Sequence, residues 1–127
     1  MKVTFYHGLT AGFFTAAACL VYNSVYTGAF ATDFSSLINS VGIIGASFFS
    51  CLLASVGYYF FAKFVQRQTD VWFNILFLSI SFASFVPLFA INLPLELSMP
   101  ELFIGLTAPM HLFPALFWLA TKPLFRA

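Results

Sequence analysis

The stretch Ser98 to Thr121 reads SMPELFIGLTAPMHLFPALFWLAT. At 1.5 Å per residue it is long enough to cross a hydrocarbon layer, which takes roughly 20 apolar residues. Its one charge is Glu101, three residues after Ser98. Ser98-Met99-Pro100-Glu101 therefore reads as a capping box that opens a helix. At the middle of the stretch His111 stands between Pro109 and Pro114. An ionisable side chain at that depth is costly to place and is by default a candidate for function.

Outward from this segment the same apolar signature recurs, with spans expected at about residues 4–26, 37–62, 71–93 and 99–121. Composition agrees. Of 127 residues 61% are hydrophobic, 20% aromatic and only 7% charged, where a soluble domain carries about 25% charge. Nineteen phenylalanines exceed what a soluble core of this size buries, whereas lipid tolerates an apolar outer surface. The expected class is all-α: one four-helix transmembrane bundle, up-down-up-down, filling residues 1–127 as a single integral membrane domain. Lys2, the first apolar run and Ala29-Phe30-Ala31 imitate a signal peptide, but the run has full transmembrane length and is read as retained. Lys2, Lys63, Arg67, Lys122 and Arg126 all fall on one side, while Asp33, Glu96 and Glu101 fall on the other. That positive-inside pattern makes both termini cytoplasmic, as expected of a bacterial inner-membrane protein. Tyr6, Tyr58, Tyr59, Trp72 and Trp118 are expected in the inner aromatic belt, and Tyr22 and Tyr26 in the outer one.

Packing signals lie in the first two spans. Gly8, Gly12 and Ala16 recur every fourth residue, as do Gly42, Ala46, Ser50 and Ala54. Small residues at that spacing let two backbones approach, so the two strips are expected to face each other or a second protomer. Ser35 or Ser36 is the expected cap of the second helix. Pro87, Pro109 and Pro114 are expected kinks, each freeing the carbonyl four residues back. Cys19 and Cys51 differ in depth by about 7 Å, which disfavours a bond between them.

Two polar layers are candidates for a site. Near mid-depth lie Thr15, Ser47, Ser50, Ser81, Ser84, Thr107 and His111. His111 is either a strut that faces Ser81 or Ser84 and bonds a serine or a proline-freed carbonyl, or a group that contacts a ligand or handles protons. At the outer interface Asn23, Asn39, Asn92 and Glu101, with Ser24 and Asp33, either line the mouth of a cavity or solvate and cap helix ends. His7 is expected near the cytoplasmic end, within reach of water. No HExxH, metal-ligand spacing, phosphate loop or G-x-S-x-G occurs, so no catalytic residue, metal or cofactor is expected. A net charge of +1 gives no reason to expect nucleic acid.

Tyr22-Asn23, the small-residue second span, Ser84-x-x-Pro87 and Met110-His111 together resemble a family of small bacterial four-helix membrane proteins of unknown function. That resemblance implies the topology and no activity. Small multidrug exporters are similar in size but need a glutamate within the first span, which this chain lacks. Phe82-Ala83-Ser84-Phe85 faintly resembles the phenylalanine box of fluoride channels, but their arginine-containing glycine-rich segment is absent. The expected function is a non-catalytic membrane binding or assembly subunit. Its Phe-rich surface would take lipid, a small apolar ligand, partner helices or a second copy. The alternative is a small transporter or channel component with a polar path from the outer asparagines to His111.

Overall fold

The computed structural model describes residues 1–31, 34, 38–90 and 100–125, and the regular structure among them is all helical. The helices are α1 (Lys2–Phe30), α2 (Ser40–Phe64), α3 (Thr69–Ala83), the short α4 (Val86–Ala90) and α5 (Pro100–Thr121), followed by a 3-10 turn over Lys122–Phe125. Counting α3 and α4 together, four helical segments are long and apolar enough to cross a membrane. Much of their outer surface is apolar: Phe13 is 62% exposed, Phe49 69% and Phe89 72%.

Local chemistry sets the helix ends. Asn39 is the cap of α2, its Oδ1 accepting from Gly42 N at 2.6 Å, so the helix begins at Ser40 and not at residue 37. The serines expected to cap it, Ser35 and Ser36, lie outside the described residues. So do Ser98, the other half of the expected capping box, and Asn92. At the far end of α1, Ala31 adopts a left-handed conformation with its N–H on the Thr27 carbonyl. Near Pro87 helix α3 stops at Ala83, Phe85 N donates to the Phe82 carbonyl, and Leu88 N within α4 donates to the Phe85 carbonyl. By contrast, α5 runs as one helix through both Pro109 and Pro114.

Helix α1 is the hub, packed on α2 along one side and on α5 along the other. Gly8 meets α2 so closely that an added Cβ would stand 1.9 Å from Ser55 Oγ and 2.9 Å from the Cys51 carbonyl. A Cβ at Gly12 would press into Phe48 at 2.9 Å. The α1 residues Gly8 and Gly12 thus lie against α2, and Ala16 is buried. The strip on α2 is not the expected one. The row against α1 is Ile43, Ser47, Cys51 and Ser55, one position on from the expected one. Gly42 and Ala46 are exposed, and a Cβ at Gly42 meets only the side chain of its own cap, Asn39. A step of one residue turns a helix by 100°, so two adjacent small-residue rows are separable only once the partner is seen. Cys19 and Cys51 are both free thiols and buried.

Two buried clusters follow. One joins Ala11, Cys51, Ala54, Phe73 and Trp118, with Tyr58, Phe61 and Phe77 against it. The other joins Phe34, Phe103 and Leu106, with Tyr22, Tyr26, Ile38 and Met110 around them. Trp118, expected in an interfacial belt, is fully buried because α1, α2 and α3 all supply rings to its surface.

Candidate functional site

The walls that α2, α3 and α5 turn toward one another do not close. They leave a cleft of about 940 Å³ that runs along α2 from Ile38 to Phe61, with Cys19 of α1 at its base. At 1.5 Å per residue that length is about 34 Å, the full depth of a bilayer core. The small α2 residues Gly42, Ala46 and Ser50 face the cleft, and Ala54 borders it while also packing against Ala11 of α1. Small side chains that were expected to bring two helices together instead leave room between them.

Sixteen of the 23 lining residues are apolar or glycine and none carries a charge. The seven polar ones are Asn39, Ser47, Ser50, Ser81, Ser84, Thr107 and His111. Every member of the expected mid-depth layer is thus brought together except Thr15. That hydroxyl sits in the α1–α2 contact, donating to the Ala11 carbonyl at 2.7 Å, with Cys51 Sγ 3.8 Å away.

Each polar group on the walls is tied to its own helix. Ser47 Oγ donates to the Ile43 carbonyl at 2.7 Å and Ser50 Oγ to that of Ser47 at 3.0 Å. Ser81 Oγ donates to Phe77 at 2.9 Å, Ser84 Oγ to Ser81 at 2.6 Å, and Thr107 Oγ1 to Phe103 at 2.9 Å. His111 Nδ1 lies 2.8 Å from the Thr107 carbonyl and the ring meets Phe85 edge to face at 6.2 Å. A carbonyl cannot donate, so Nδ1 carries the hydrogen. This corrects the expectation that His111 bonds Ser81, Ser84 or a proline-freed carbonyl. A partner one turn back is already in place, whereas the serines stand across an open cleft and have spent their protons.

The carbonyl that Pro109 frees belongs to Gly105, and it accepts from Tyr22 Oη at 2.9 Å. One turn earlier Tyr26 Oη donates to the Leu102 carbonyl at 2.7 Å. These tyrosines, read as an outer belt, bond α1 to α5. Gly105 is needed there, since a Cβ would stand 2.6 Å from Tyr26 Oη.

The expected outer mouth does not assemble among the described residues. Asn39 reaches the cleft, but Asn23 and Glu101 do not line it. Asn23 lends its carbonyl to Thr27 Oγ1 on the same helix, and Glu101 is exposed in the first turn of α5, where its charge suits the helix dipole.

A second polar cluster went unread. His7 is 1% exposed, not in reach of water, because Trp118 and Phe125 cover it with rings centred 4.0 and 5.2 Å away. Its Nε2 donates to the Trp118 carbonyl at 3.0 Å. Beside it Lys122 Nζ lies 3.0 Å from Asp70 Oδ1 and 3.8 Å above the Tyr58 ring, and Tyr58 Oη donates to Asp70. Two signals pointed here. His7, Ala11, Thr15 and Cys19 form an every-fourth row on the buried face of α1, and Asp70 is the lone acid among the basic residues of its side. Among the described residues no three of histidine, cysteine, aspartate and glutamate converge as a metal site would require. Comparison with protein families, with curated proteins and with solved structures finds no match for this chain.

Proposed function

We propose that the chain is an integral membrane binding subunit that holds a small apolar molecule in the cleft between α2, α3 and α5. The observation that carries this reading is the cleft itself. Its volume of about 940 Å³ lies at the upper end of the roughly 300–1,000 Å³ usual for ligand sites, and its walls are mostly apolar with no Asp, Glu, Lys or Arg among the described lining residues. The reading takes the four helices as membrane spans, up-down-up-down, with Lys2, Lys63, Arg67 and Lys122 at the cytoplasmic side and both termini there. The contacts of Gly8 with Ser55, of His7 with Trp118 and of Tyr26 with Leu102 support that order, since each joins an early residue of one helix to a late residue of another or the reverse. Lipid is the surrounding partner, and a second copy or a partner membrane protein is compatible with the exposed phenylalanines.

Transport is the second reading, favoured by one observation: the cleft joins Asn39 at its outer end to His111 at mid-depth. Native mass spectrometry from mild detergent tests the first. Wild type should retain an apolar mass, or take one up when it is added. Ala46→Phe, which fills the cleft without touching the α1–α2 contact, should keep its melting temperature and lose that mass. Equal retention by both proteins, or none by wild type, overturns the binding reading.

A further inference from the structure

The polar layer of the cleft has a property that its residue types alone do not announce. Ser47, Ser50, Ser81, Ser84 and Thr107 each spend their only O–H on a carbonyl of their own helix. A hydroxyl that has donated still offers oxygen lone pairs, so what remains for an occupant is acceptor capacity. His111 behaves in the same way. With its hydrogen on Nδ1 and held by the Thr107 carbonyl, the ring in its uncharged form leaves Nε2 as a bare acceptor. The nearest other donor is the weak thiol of Cys19, beside Ser47. Among the described lining residues the other strong donors are the amide N–H groups of Asn39, whose Oδ1 holds Gly42 N. Asn39 lies eleven residues above Ser50 on α2, about 16 Å away along the helix.

We infer that the cleft selects an uncharged, hydroxyl-bearing apolar molecule, an alcohol or phenol, whose O–H donates into the mid-depth layer of Ser50, Ser81, Ser84, Thr107 and His111. Resting on the binding reading above, this names the chemistry the site takes. Acceptors without donors disfavour carboxylates, phosphates and ketones, whose oxygens would face lone pairs. The missing counter-charge disfavours an ammonium group, which at this depth would need an acid that the lining lacks. A hydroxyl satisfies the layer without bringing charge, and each wall offers it an oxygen in a different direction, so the group can settle where the chain length puts it.

The test uses the whole purified protein and two matched probes, 1-hexadecanol and hexadecyl methyl ether, which share a chain and an oxygen, the ether having a methyl in place of the hydroxyl hydrogen. Tritiated hexadecanol should bind saturably. The ether should displace it about fivefold less well than unlabelled hexadecanol, the value of one net hydrogen bond in a partly apolar site. His111→Phe, which keeps a ring in place and removes Nε2, should weaken the alcohol while leaving the ether unchanged, so the preference shrinks. Equal displacement by alcohol and ether in wild type overturns this inference and leaves apolar binding standing. Absence of saturable binding by either probe overturns both.

Discussion

At Gly8 and Gly45 the same residue type has opposite uses. A Cβ at Gly8 collides with Ser55 Oγ and the Cys51 backbone, while a Cβ at Gly45 meets nothing within 4 Å. Alanine is the better helix former by about 1 kcal/mol, so at an open position the substitution stabilises. We expect Gly45→Ala to leave the melting temperature equal or raised, and Gly8→Ala to lower it through a loss of about 1–3 kcal/mol by overpacking. Equal shifts of the same sign would show that α1 and α2 do not meet at Gly8. Histidines divide similarly. His111 borders a cleft and keeps a free acceptor, whereas His7, the less conspicuous of the two in the sequence, is walled in by Trp118 and Phe125. Depth alone did not separate them, because burial depends on which neighbours cover a ring and not on its distance from the chain's end.

Helix α5 carries two prolines without breaking, and at Pro109 the group that satisfies the freed carbonyl lies on α1. Pro109 cannot donate to Gly105, and Tyr22 supplies the missing hydrogen from the neighbouring helix. The two residues should therefore be coupled. Tyr22→Phe is expected to cost about 0.5–1.5 kcal/mol in the wild-type background. In a Pro109→Ala background the new N–H of residue 109 satisfies the Gly105 carbonyl, and the cost of losing the tyrosine hydroxyl should fall by at least half. A double-mutant cycle read by thermal or denaturant unfolding measures this directly, and strict additivity would rule the coupling out. Among the described residues no side chain donates to the Ala83 carbonyl behind Pro87, and there α3 stops at Ala83.

For the whole molecule, the four apolar segments and the side bearing the lysines together define an orientation that can be measured. Native Cys19 and Cys51 are buried and should stay silent toward thiol reagents. With an impermeant reagent on intact cells, a cysteine at exposed Ser40 should be labelled and one at exposed Gln66 should not. Labelling at Gln66 alone would reverse the orientation, and the charge pattern would then not set the topology. At this scale the cleft is a consequence of uneven packing. Helix α1 draws α2 and α5 to itself through Gly8, Gly12, Tyr22 and Tyr26, and Trp118 anchors α3 through Phe73 and Phe77. Beyond the ring contacts of Tyr58 and Phe61 with Phe73, the facing walls of α2 and α3 stay apart, and the small residues Gly42, Ala46 and Ser50 line the gap.

The all-helical class and the four apolar segments long enough to cross a membrane were legible from the chain, because hydrophobic runs act locally and one residue at a time. Counting along the helices also grouped seven polar residues at one level, of which Ser47, Ser50, Ser81, Ser84, Thr107 and His111 line the cleft and Thr15 does not. Azimuth was not legible. Whether Gly42 and Ala46 or their neighbours Ile43 and Ser47 face α1 is a turn of 100°, and two rows of small residues side by side look equally suited to packing. The hydrogen-bond partners of His111, Tyr22 and His7 were equally hidden. Only the tertiary structure decided which proton goes to the home helix and which crosses to a neighbour, because that choice depends on gaps of a few ångströms between helices that no spacing within one helix encodes.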